Sequence, residues 1–455
     1  MAFRSIALSF VTSLTVAAAA LLLPAASLHA QATAKTASQQ SSAALAGSLI
    51  PAVRFSSDLG RMPSSAPMQH MALHFALTDT QQADLKTRLH ALQDPNSSQY
   101  HKWLAPAQFQ QRFGRPAEDI AVAEAWLKSQ GFTIESSGSE SVVFSGSVSQ
   151  VESAFHTQMH NYALGKKSYF ANATAVTLPK SLEGMVRGVG HLNSLRPTPL
   201  HRTQASKQLQ PSLTTTDGTH YMVPADVQTI YDVNAIYTAG YTGAGQTIAV
   251  VGQSLVDPAD IALFHTSFGG NANLMMTLVP FTGDSAITSA DDEGESDLDI
   301  EYSGSIAKDA TINFVFVGNN GTSDAFDAMQ YAIQNSIAPI ISISYGACEL
   351  ESGQIDSAIY GFFMDEAATQ GQTLIAASGD AGATACDAGN TEAFEGLAVQ
   401  FPSDSPDVTG VGGTEFNEGT GTYWNSKNGA GDGSATVAAS STSFNTCSAS
   451  MGSTG

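Results

Sequence analysis

Short apolar strands alternate with helical stretches over the second half of the chain, and this alternation limits the fold more than any other feature. The apolar, β-branched runs occupy residues 246–252, 311–317, 339–344 and 372–377, and helical stretches separate them at 257–268, 295–306, 323–336 and 353–370. Such alternation implies a parallel α/β sheet covered by helices on both faces. Functional groups of these sheets gather beyond the carboxyl ends of the strands, where residues 344–346 and 378–380 follow two of the runs.

The stretch Asp291–Lys308 crowds carboxylates into one predicted helix. Its acidic side chains are Asp291, Asp292, Glu293, Glu295, Asp297, Asp299 and Glu301. An apolar stripe at i, i+4 and i+8 supports the helix and consists of Leu298, Tyr302 and Ile306. A solvated acidic helix start also explains this composition, because carboxylates are favourable near the positive end of the helix dipole.

Two carboxylate pairs on this helix have a spacing suited to acid–base chemistry. Glu295 and Asp299 are four residues apart, and so are Asp297 and Glu301. Like charges at this spacing repel each other. If such a pair is also desolvated, one proton is held more tightly and the pair can work in acid. Spacing alone does not say which of the two pairs matters.

The charge of the chain is strongly acidic and unevenly divided. The formal net charge of −22 argues against a nucleic-acid partner, which requires basic surface. Residues 220–455 contain 2 basic and 29 acidic side chains (−27), whereas residues 1–219 contain 17 basic and 12 acidic ones (+5). Two regions of opposite sign are expected to dock on each other. The length of 455 residues fits two or three domains at roughly 100–200 residues each.

The first 32 residues have the pattern of a secretory signal peptide. Arg4 precedes an apolar core at residues 6–23, and Ala30-Gln31-Ala32 forms a small-residue cleavage site. A single membrane anchor is the alternative, but Pro24 and the small residues after it favour cleavage. No later stretch is long enough to span a bilayer. We therefore expect a secreted, extracellular protein that has no membrane contact after cleavage.

Export would also permit disulfides. The sequence contains three cysteines, so at least one has no intramolecular partner. Cys348 and Cys386 are the expected couple, which leaves Cys447 over.

The first half of the chain divides into a leader, a compact α+β domain and a linker. Residues 33–66 are rich in Ala, Ser and Gln and are expected to be flexible. Over residues 67–193 the pattern predicts a strand at 70–76, a helix at 79–92 capped by Thr78, helices at 105–113 and 117–130, and strands near 131–136, 140–145, 156–163 and 167–171. Residues 194–219 are polar and contain Arg196, Arg202 and Lys207, as suits an exposed, cleavable linker.

Two sets of motifs carry a resemblance to a peptidase family. The run LQDPNSSQYHKWLAPAQFQQRFGRP (Leu92–Pro116) and the later GFTIESSGSESVVFSGSVSQVESAFHTQMHNY are similar to the activation domain of pro-kumamolisin-type peptidases. Four later segments are HYMVPADVQTIYDV with GAGQTIAVVG, then GESDLDIEY, then ISISYG with LIAASGDAGA, and lastly FPSDSPDVTGVGGTEF. Together they make the chain resemble the sedolisin, or serine-carboxyl peptidase, family over residues 67–425.

The resemblance implies a fold and a set of catalytic residues. It implies an incomplete subtilisin-like parallel-sheet peptidase domain over residues 220–428, preceded by an α+β, ferredoxin-like activation pro-domain. The family's Glu-x-x-x-Asp motif falls on Glu295 and Asp299, so Glu295 would be the general base for a serine nucleophile and Asp299 would orient it and share its proton. Asp380 matches the oxyanion-hole aspartate, which must be protonated to donate a hydrogen bond. A simple Gly-Asp turn is the alternative for Asp380.

The resemblance also implies substrate-binding residues at the two strand ends. Ser344, Tyr345 and Gly346 resemble the strand end that pairs with the substrate backbone and walls the specificity pocket, although they are also what any buried strand end would leave. Ser378 and Gly379, beside Asp380, complete the expected substrate-binding set.

The sequence departs from the family at the nucleophile. It contains no Ser-Gly-Thr-Ser motif after Asp380, so no catalytic serine is named, and Ser453 is only the nearest mimic. From residue 429 to 455 the chain is an Ala/Ser/Thr/Gly-rich, low-complexity tail. Calcium is expected by resemblance, with its ligands beyond the end of this chain and none within it. We therefore expect the chain as written to lack peptidase activity.

The leading interpretation is a secreted, acid-acting serine-carboxyl endopeptidase precursor that processes itself. Its partners would be protein or peptide substrates and its own pro-domain as inhibitor, with no nucleic acid. A pseudoprotease or processed fragment acting as a binding module is one alternative. A carboxylate-pair glycosidase is another, but its carboxylates face each other across a bond, roughly 5–10 Å apart, which neighbours on one helix turn fit poorly.

Overall fold

The computed structural model describes residues 42–200, 213–214, 220–270, 273–387 and 393–414. The predicted signal peptide, most of the linker, Cys447 and the tail over 429–455 lie outside these ranges. Among the helices in the described ranges, none combines the length and the apolar composition needed to cross a bilayer.

The N-terminal part is an α+β arrangement of antiparallel sheets and four helices. Its strands are β1 (Ser42–Ala44), β2 (Ser57–Arg61), β3 (Pro67–Phe75), β4 (Thr133–Ser137), β5 (Ser141–Ser147), β6 (Met159–Leu164), β7 (Lys167–Asn172), β8 (Thr177–Pro179) and β9 (Val186–Gly190). Its helices are α1 (Asp79–Gln93), α2 (Pro106–Phe113), α3 (Ala117–Ser129) and α4 (Val148–Phe155), and short 3-10 turns lie at Pro51–Arg54 and Lys180–Leu182.

A four-stranded sheet in the order β4-β5-β3-β9 is the centre of this part. β3 pairs antiparallel with both β5 and β9, and β5 pairs antiparallel with β4. Along the chain, helices follow β3 and a further helix follows β5, which is the β-α-β-β-α-β arrangement of ferredoxin-like folds. The ferredoxin-like prediction is therefore confirmed.

Capping residues fix where the helices of this part begin. The Thr78 hydroxyl accepts a hydrogen bond from the Gln81 backbone N–H at 3.2 Å, and the Gln81 side chain accepts from the Thr78 N–H at 3.0 Å. This reciprocal capping box starts α1 where the sequence predicted it. Ser147 and Gln150 form the same box at the start of α4, a helix that we did not predict although Ser147-x-x-Gln150 is its signal.

The flexible leader predicted over residues 33–66 is corrected from Ser42 onward. β1 pairs with β8 and β2 pairs with β6, so both are parts of sheets. Ile50 and Ala52 between them are fully buried. The Ala/Ser/Gln-rich composition was misleading because strand pairing uses backbone groups and needs few large side chains.

The C-terminal part is built on a parallel sheet. After the linker strand β10 (Thr198–Pro199), the strands are β11 (Leu213–Thr214), β12 (His220–Tyr221), β13 (Thr247–Gly252), β14 (Leu274–Leu278), β15 (Thr311–Phe316), β16 (Ile340–Ile343), β17 (Tyr345–Cys348), β18 (Thr373–Ala377), β19 (Gln400–Phe401) and β20 (Val408–Val411). The helices are α5 (Pro224–Ile230), α6 (Val233–Thr238), α7 (Pro258–Phe268), α8 (Ala290–Ile306), α9 (Ala325–Gln334) and α10 (Glu349–Gln370), with a 3-10 turn at Ala385–Asp387.

Six of these strands form one sheet in the order β14-β15-β13-β16-β18-β20, and every neighbouring pair is parallel. Successive residues of the central strand β13 enter opposite cores: Val250 packs in one cluster with Ile300 of α8, and Val251 packs in another with Met329 of α9. A strand covered on both faces needs apolar residues at every position. The predicted α/β class is confirmed.

Helix α8 turns a polar, small-residue face to the interior instead of the predicted apolar stripe. Ser289 caps it by accepting a hydrogen bond from the Asp292 N–H at 3.1 Å. The buried residues of the helix are Asp292, Glu295, Ser296, Ile300, Gly304 and Ser305. Leu298, the first residue of the stripe, is 40% exposed. Small residues let the helix lie close to the sheet, since a Cβ built on Gly252 would lie 2.9 Å from Ser296 Oγ.

The N-terminal part packs directly on α9 and α10. The rings of Phe109 and Phe362 have centroids 5.4 Å apart, and the Arg187 guanidinium lies 3.9 Å from the Phe362 centroid. His191 Nε2 lies 3.0 Å from a carboxylate oxygen of Asp327 in α9. One continuous hydrophobic cluster contains buried residues from both parts. The two parts, which were expected to dock through opposite charge, therefore meet mainly through apolar side chains, with a few charged contacts beside them.

Candidate active site

Two loops meet at the carboxyl edge of the parallel sheet. Ser344 lies between the end of β16 and the start of β17, and Ser378 follows the last residue of the neighbouring strand β18. Helix α8 lies against β13, the strand on the other side of β16. The sheet order therefore brings the buried face of α8 to the loop that contains Ser344.

Ser344 connects the two carboxyl groups of the predicted catalytic pair. Its hydroxyl donates a hydrogen bond to Asp299 Oδ1 at 2.8 Å, and the same hydroxyl is hydrogen bonded to Glu295. A serine hydroxyl has one proton and two lone pairs. When that proton lies on the bond to Asp299, Ser344 Oγ can accept a hydrogen bond from protonated Glu295. The three side chains form a path along which one proton can pass between the two carboxyl groups.

Glu295 is the most perturbed carboxyl of this group. It is 1% exposed. Burial, followed by the negative charges of Asp380 and Asp292, raises the pKa of Glu295 to about 8, whereas donation of the Ser344 hydroxyl proton to the ionised Glu295 carboxylate lowers it. Asp292 is held in place by Gln253, whose Nε2 donates to its Oδ1 at 2.8 Å. Glu295 is therefore protonated at neutral pH, and neutralising Asp380 would lower its pKa.

The second carboxylate pair lies on the side of α8 that faces α7. Burial, then the charges of Glu293 and Asp260, raises the pKa of Asp297 to about 6. Burial, then the charges of Asp297 and Asp260, raises the pKa of Glu301 to about 7. Asp260 belongs to α7, so this pair is directed away from the strand ends.

Asp380 is exposed and lies in a loop that its neighbours hold firmly. Ser378 donates two hydrogen bonds to the carbonyl of Val411, from its backbone N–H at 2.9 Å and from its hydroxyl at 3.0 Å. Gly379 has a φ of 87°, which favours glycine, and a Cβ there would lie 2.7 Å from Gln400 Cγ. The structure thus places Asp380 close enough for its charge to raise the pKa of Glu295.

Tyr345 and Gly346 contribute backbone to the site. The Tyr345 side chain is fully buried, and its hydroxyl donates to the carbonyl of Asp292 at 3.1 Å. Burial raises its pKa far above the ordinary tyrosine value. The side chain thus anchors β17 beneath α8, while the backbone of this strand pairs with β10.

The linker strand β10 occupies the edge of β17. Thr198 pairs antiparallel with Gly346, and Pro199 pairs with Tyr345. The next residue, Leu200, donates its backbone N–H to the carbonyl of Ser344 at 2.8 Å. An extended peptide therefore already lies on the strand end that the sequence predicted to bind substrate.

A disulfide joins Cys348, at the end of β17, to Cys386, with Cα atoms 5.0 Å apart. It ties the peptide-bearing strand to the segment that follows Asp380. Over the described ranges, no group of three or more His, Cys, Asp or Glu side chains is placed to hold a metal ion.

Sequence reasoning missed two contributors to this site. The Ser344 side chain was expected only as part of a strand end, although it contacts both members of the Glu295–Asp299 pair. Gln400, in the run AVQFPSD, lies against both Gly346 and Gly379. No local pattern marks Gln400, because its neighbours are brought together only by the pairing of β17 with β19.

Comparison with known proteins gives consistent matches over most of the chain. Residues 56–195 match the family described as "Pro-kumamolisin, activation domain". Sedolisin of Pseudomonas sp. (strain 101) is 29% identical over 376 residues, covering 78% of this chain and 61% of that protein. Kumamolisin of Bacillus sp. (strain MN-32) is 27% identical over 328 residues, covering 69% and 57%. The chain thus spans less than two thirds of these curated relatives.

A solved structure is also similar. Pseudomonas sedolisin, a serine-carboxyl proteinase complexed with two molecules of pseudo-iodotyrostatin, matches with 26% identity and a TM-score of 0.37, over 42% of this chain and 53% of that one. The activation-domain match begins before the boundary predicted at residue 67, and it includes strand β2. The chain is therefore a relative of the sedolisin family of serine-carboxyl peptidases and carries a pro-kumamolisin-type activation domain at residues 56–195.

Proposed function

We propose that this chain belongs to the precursor of a secreted, acid-acting endopeptidase, which cleaves itself and other proteins once a nucleophilic serine completes the site. Glu295 is its general base, Asp299 shares the proton of Glu295, and Asp380 stabilises the oxyanion. The observation that carries the proposal is the hydrogen-bonded path from Glu295 through Ser344 to Asp299 at the end of β16. The nucleophilic serine is not identified in these 455 residues, which contain no Ser-Gly-Thr-Ser motif, so the chain as written is expected to be inactive.

The path through Ser344 explains how a carboxyl that is protonated at neutral pH becomes a base. Glu295 gives its proton to Ser344 Oγ while Ser344 passes its own proton to Asp299, which leaves Glu295 ionised. Glu295 then takes the proton of the nucleophilic serine as that oxygen attacks the peptide carbonyl, and later returns it to the departing amine. Water repeats the same cycle on the acyl-enzyme. Each proton that Glu295 removes is returned, so the site is restored.

Acid prepares this site in two ways. A protonated Asp380 can donate a hydrogen bond to the developing oxyanion, which an ionised one cannot. A neutral Asp380 also stops raising the pKa of Glu295, so Glu295 releases its proton to the Ser344 path more readily. Both effects follow from one protonation, and both require a pH below the neutral range.

The pro-domain inhibits the enzyme through its linker. Thr198 and Pro199 pair with β17 in the manner of an added strand, and Leu200 extends the pairing to Ser344. A substrate needs the same strand edge, so it cannot enter while the linker is in place. The apolar contact of the N-terminal part with α10 holds the linker at this edge.

An acid protease assay on a precursor that contains the nucleophilic serine, with the 455-residue chain as the inactive control, tests the proposal. Denatured protein should be cut at roughly pH 3–5, and a peptide aldehyde that mimics the tetrahedral intermediate should block the reaction. A polysaccharide assay under the same conditions separates the classes of enzyme. Cleavage of polysaccharide alone would favour the glycosidase, and protein binding without any cleavage would favour the pseudoprotease.

A further inference from the structure

The side chain of Leu200 enters a small subsite beside Gly346. A Cβ built on Gly346 would lie 2.7 Å from Leu200 Cδ1, so only the absence of a side chain on Gly346 leaves room for the leucine. The same point is 3.2 Å from Gln400 Oε1. The end of the Leu200 side chain and the amide of Gln400 therefore lie on the same side of β17.

Gln400 is held in one orientation. Its Nε2 donates a hydrogen bond to the carbonyl of Ala385 at 3.3 Å. Gly379 also borders its stem, because a Cβ on Gly379 would lie 2.7 Å from Gln400 Cγ. Since Nε2 is directed to Ala385, the Oε1 atom is the one left toward Gly346.

The oxygen of this amide is an unused acceptor. Gln400 is 4% exposed, and its Oε1 is buried and has no hydrogen-bond partner among the described residues. Buried polar groups are normally paired, and an unpaired one is unfavourable. Leu200 cannot satisfy it, because its side chain has no donor. The linker therefore fills the subsite sterically and leaves the hydrogen bond unmade.

Leu200 also occupies a defined place in the register. Its N–H bonds to the carbonyl of Ser344, whose hydroxyl is bonded to Asp299. Leu200 is thus bonded directly to the residue whose side chain contacts the Glu295–Asp299 pair. If the proposed peptidase function holds, the residue at the place of Leu200 is the one whose carbonyl is attacked.

We propose that Gln400 determines the preference of the specificity subsite beside Gly346, the subsite for the substrate residue at the place of Leu200. The subsite takes a side chain of about leucine's length and favours one that ends in an N–H or O–H donor, glutamine first. The linker is then a displaceable occupant, because a substrate with such a donor makes one more hydrogen bond than Leu200 does. That the subsite binds a peptidase substrate rests on the proposed function. That it favours a donor rests on the contacts of Leu200 and Gln400.

Amide exchange in the full-length precursor at neutral pH tests the subsite without catalysis. Leu200→Gln and Leu200→Met introduce unbranched side chains of similar length, one with a donor and one without. The amide at position 200 should exchange about fivefold more slowly with Gln than with Met, the order expected for one net hydrogen bond. In a Gln400→Leu background the difference should vanish. Equal exchange for the two variants with Gln400 present would overturn the assignment.

Two controls keep the experiment decisive. The amides of Val250 and Val251, inside the parallel sheet, should exchange at the same rate in every variant and so report intact folding. Gln400→Met, which keeps the length and removes the amide, replaces Gln400→Leu if those amides become exposed.

Peptide cleavage by the acid-activated enzyme separates this inference from the proposed function. Peptides with Thr-Pro-Gln directly before the scissile bond should be cut with about fivefold higher kcat/KM than peptides with Thr-Pro-Met there. This is again the order expected for one net hydrogen bond. Cleavage without this preference overturns the subsite and leaves the peptidase function standing. No cleavage of any peptide overturns the function, while the exchange result still decides whether Gln400 recognises a donor.

Discussion

Helix α8 carries two carboxylate pairs with the same spacing and different environments. The inner pair, Glu295 and Asp299, is linked by the Ser344 hydroxyl at the end of β16. The outer pair, Asp297 and Glu301, faces Asp260 of α7. Burial raises pKa values in both pairs, so a raised pKa alone does not mark the catalytic one. The difference lies in the neighbours: only the inner pair is next to a strand end and an extended peptide.

Replacing one glutamate of each pair by glutamine should show the largest difference between the inner and the outer pair, measured as kcat/KM. We expect Glu295→Gln to lower kcat/KM by about 10²–10⁴-fold, the range for loss of a general base, and Glu301→Gln to change it less than threefold. Protein cleavage in acid by the full-length enzyme measures both. Circular dichroism of the two variants should match that of the parent. An active Glu295→Gln enzyme beside an inactive Glu301→Gln one would show that the outer pair does the chemistry.

The inner pair should also give the larger dependence of stability on pH. The folded-state pKa of Glu295 is about 8, above the ordinary 4.5, so the folded protein holds this proton more tightly than the unfolded chain. That stabilisation is complete below pH 4.5 and is lost as the pH rises through 8. Glu295→Gln should remove the loss and raise the free energy of unfolding at pH 8, relative to pH 4, by about 2–4 kcal/mol.

Urea unfolding at a series of pH values checks this expectation. Glu301→Gln should also raise the free energy of unfolding at pH 8 relative to pH 4, but by less. Glu301 is only half-buried and its pKa is about 7. A Glu295→Gln protein whose stability follows the parent curve from pH 4 to pH 8 would contradict the burial of an uncharged Glu295.

Removing the Ser344 hydroxyl, which lies between the carboxyls of the inner pair, should lower kcat by less than the loss of Glu295 does. Ser344→Ala leaves the backbone carbonyl that binds Leu200 and takes away the proton path, so we expect kcat to fall about 10–100-fold, as for a hydrogen bond to a charged group. KM should change little. The matched control is Ser303→Ala on α8, whose hydroxyl donates only to the backbone carbonyls of Asp299 and Ile300. Similar losses in both variants would mean that the path has no special role.

Neutralising Asp380 should separate the two pairs by the smallest effect, a shift in the pKa of Glu295. Asp380→Asn removes one negative charge near Glu295, so the pKa of Glu295 should fall by roughly one unit while that of Glu301 stays constant. Carbon NMR of the glutamate side chains would follow both residues in one titration. A shift of both pKa values, or of neither, would mean that Asp380 does not act selectively on the inner pair.

The strands of the sheet could be predicted because burial on both faces leaves a strong local signal. The four predicted runs agree with β13, β15, β16 and β18 to within one residue at each end. The two edge strands, β14 and β20, were missed, since an edge strand is only partly buried and its sequence is less distinctive. The leader was also misjudged, because its pairing with β6 and β8 depends on chain that lies far away in the sequence.

Only the site residues that belong to a sequence motif could be predicted. The Glu-x-x-x-Asp motif pointed to Glu295 and Asp299, and the structure brings both to Ser344. The apolar stripe of α8 predicted the wrong buried face, because the close approach to β13 selects small and polar residues over Leu298. Gln400 lies 54 residues after Gly346 and gave no signal, since its position depends on β19 pairing with β17.

The hydrophobic cluster shared by the two parts of the chain also bears on how the C-terminal part folds. Phe109 and Tyr162 of the activation domain belong to the same cluster as Met329 and Phe363 of the C-terminal part. The pro-domain emerges first from the ribosome, so it offers a folded apolar surface on which α9 and α10 can assemble. In the proposed function, cleavage would then remove this template from an assembly that is already formed. We expect the mature enzyme to persist through a high barrier to unfolding rather than through equilibrium stability, and to fail to refold once unfolded.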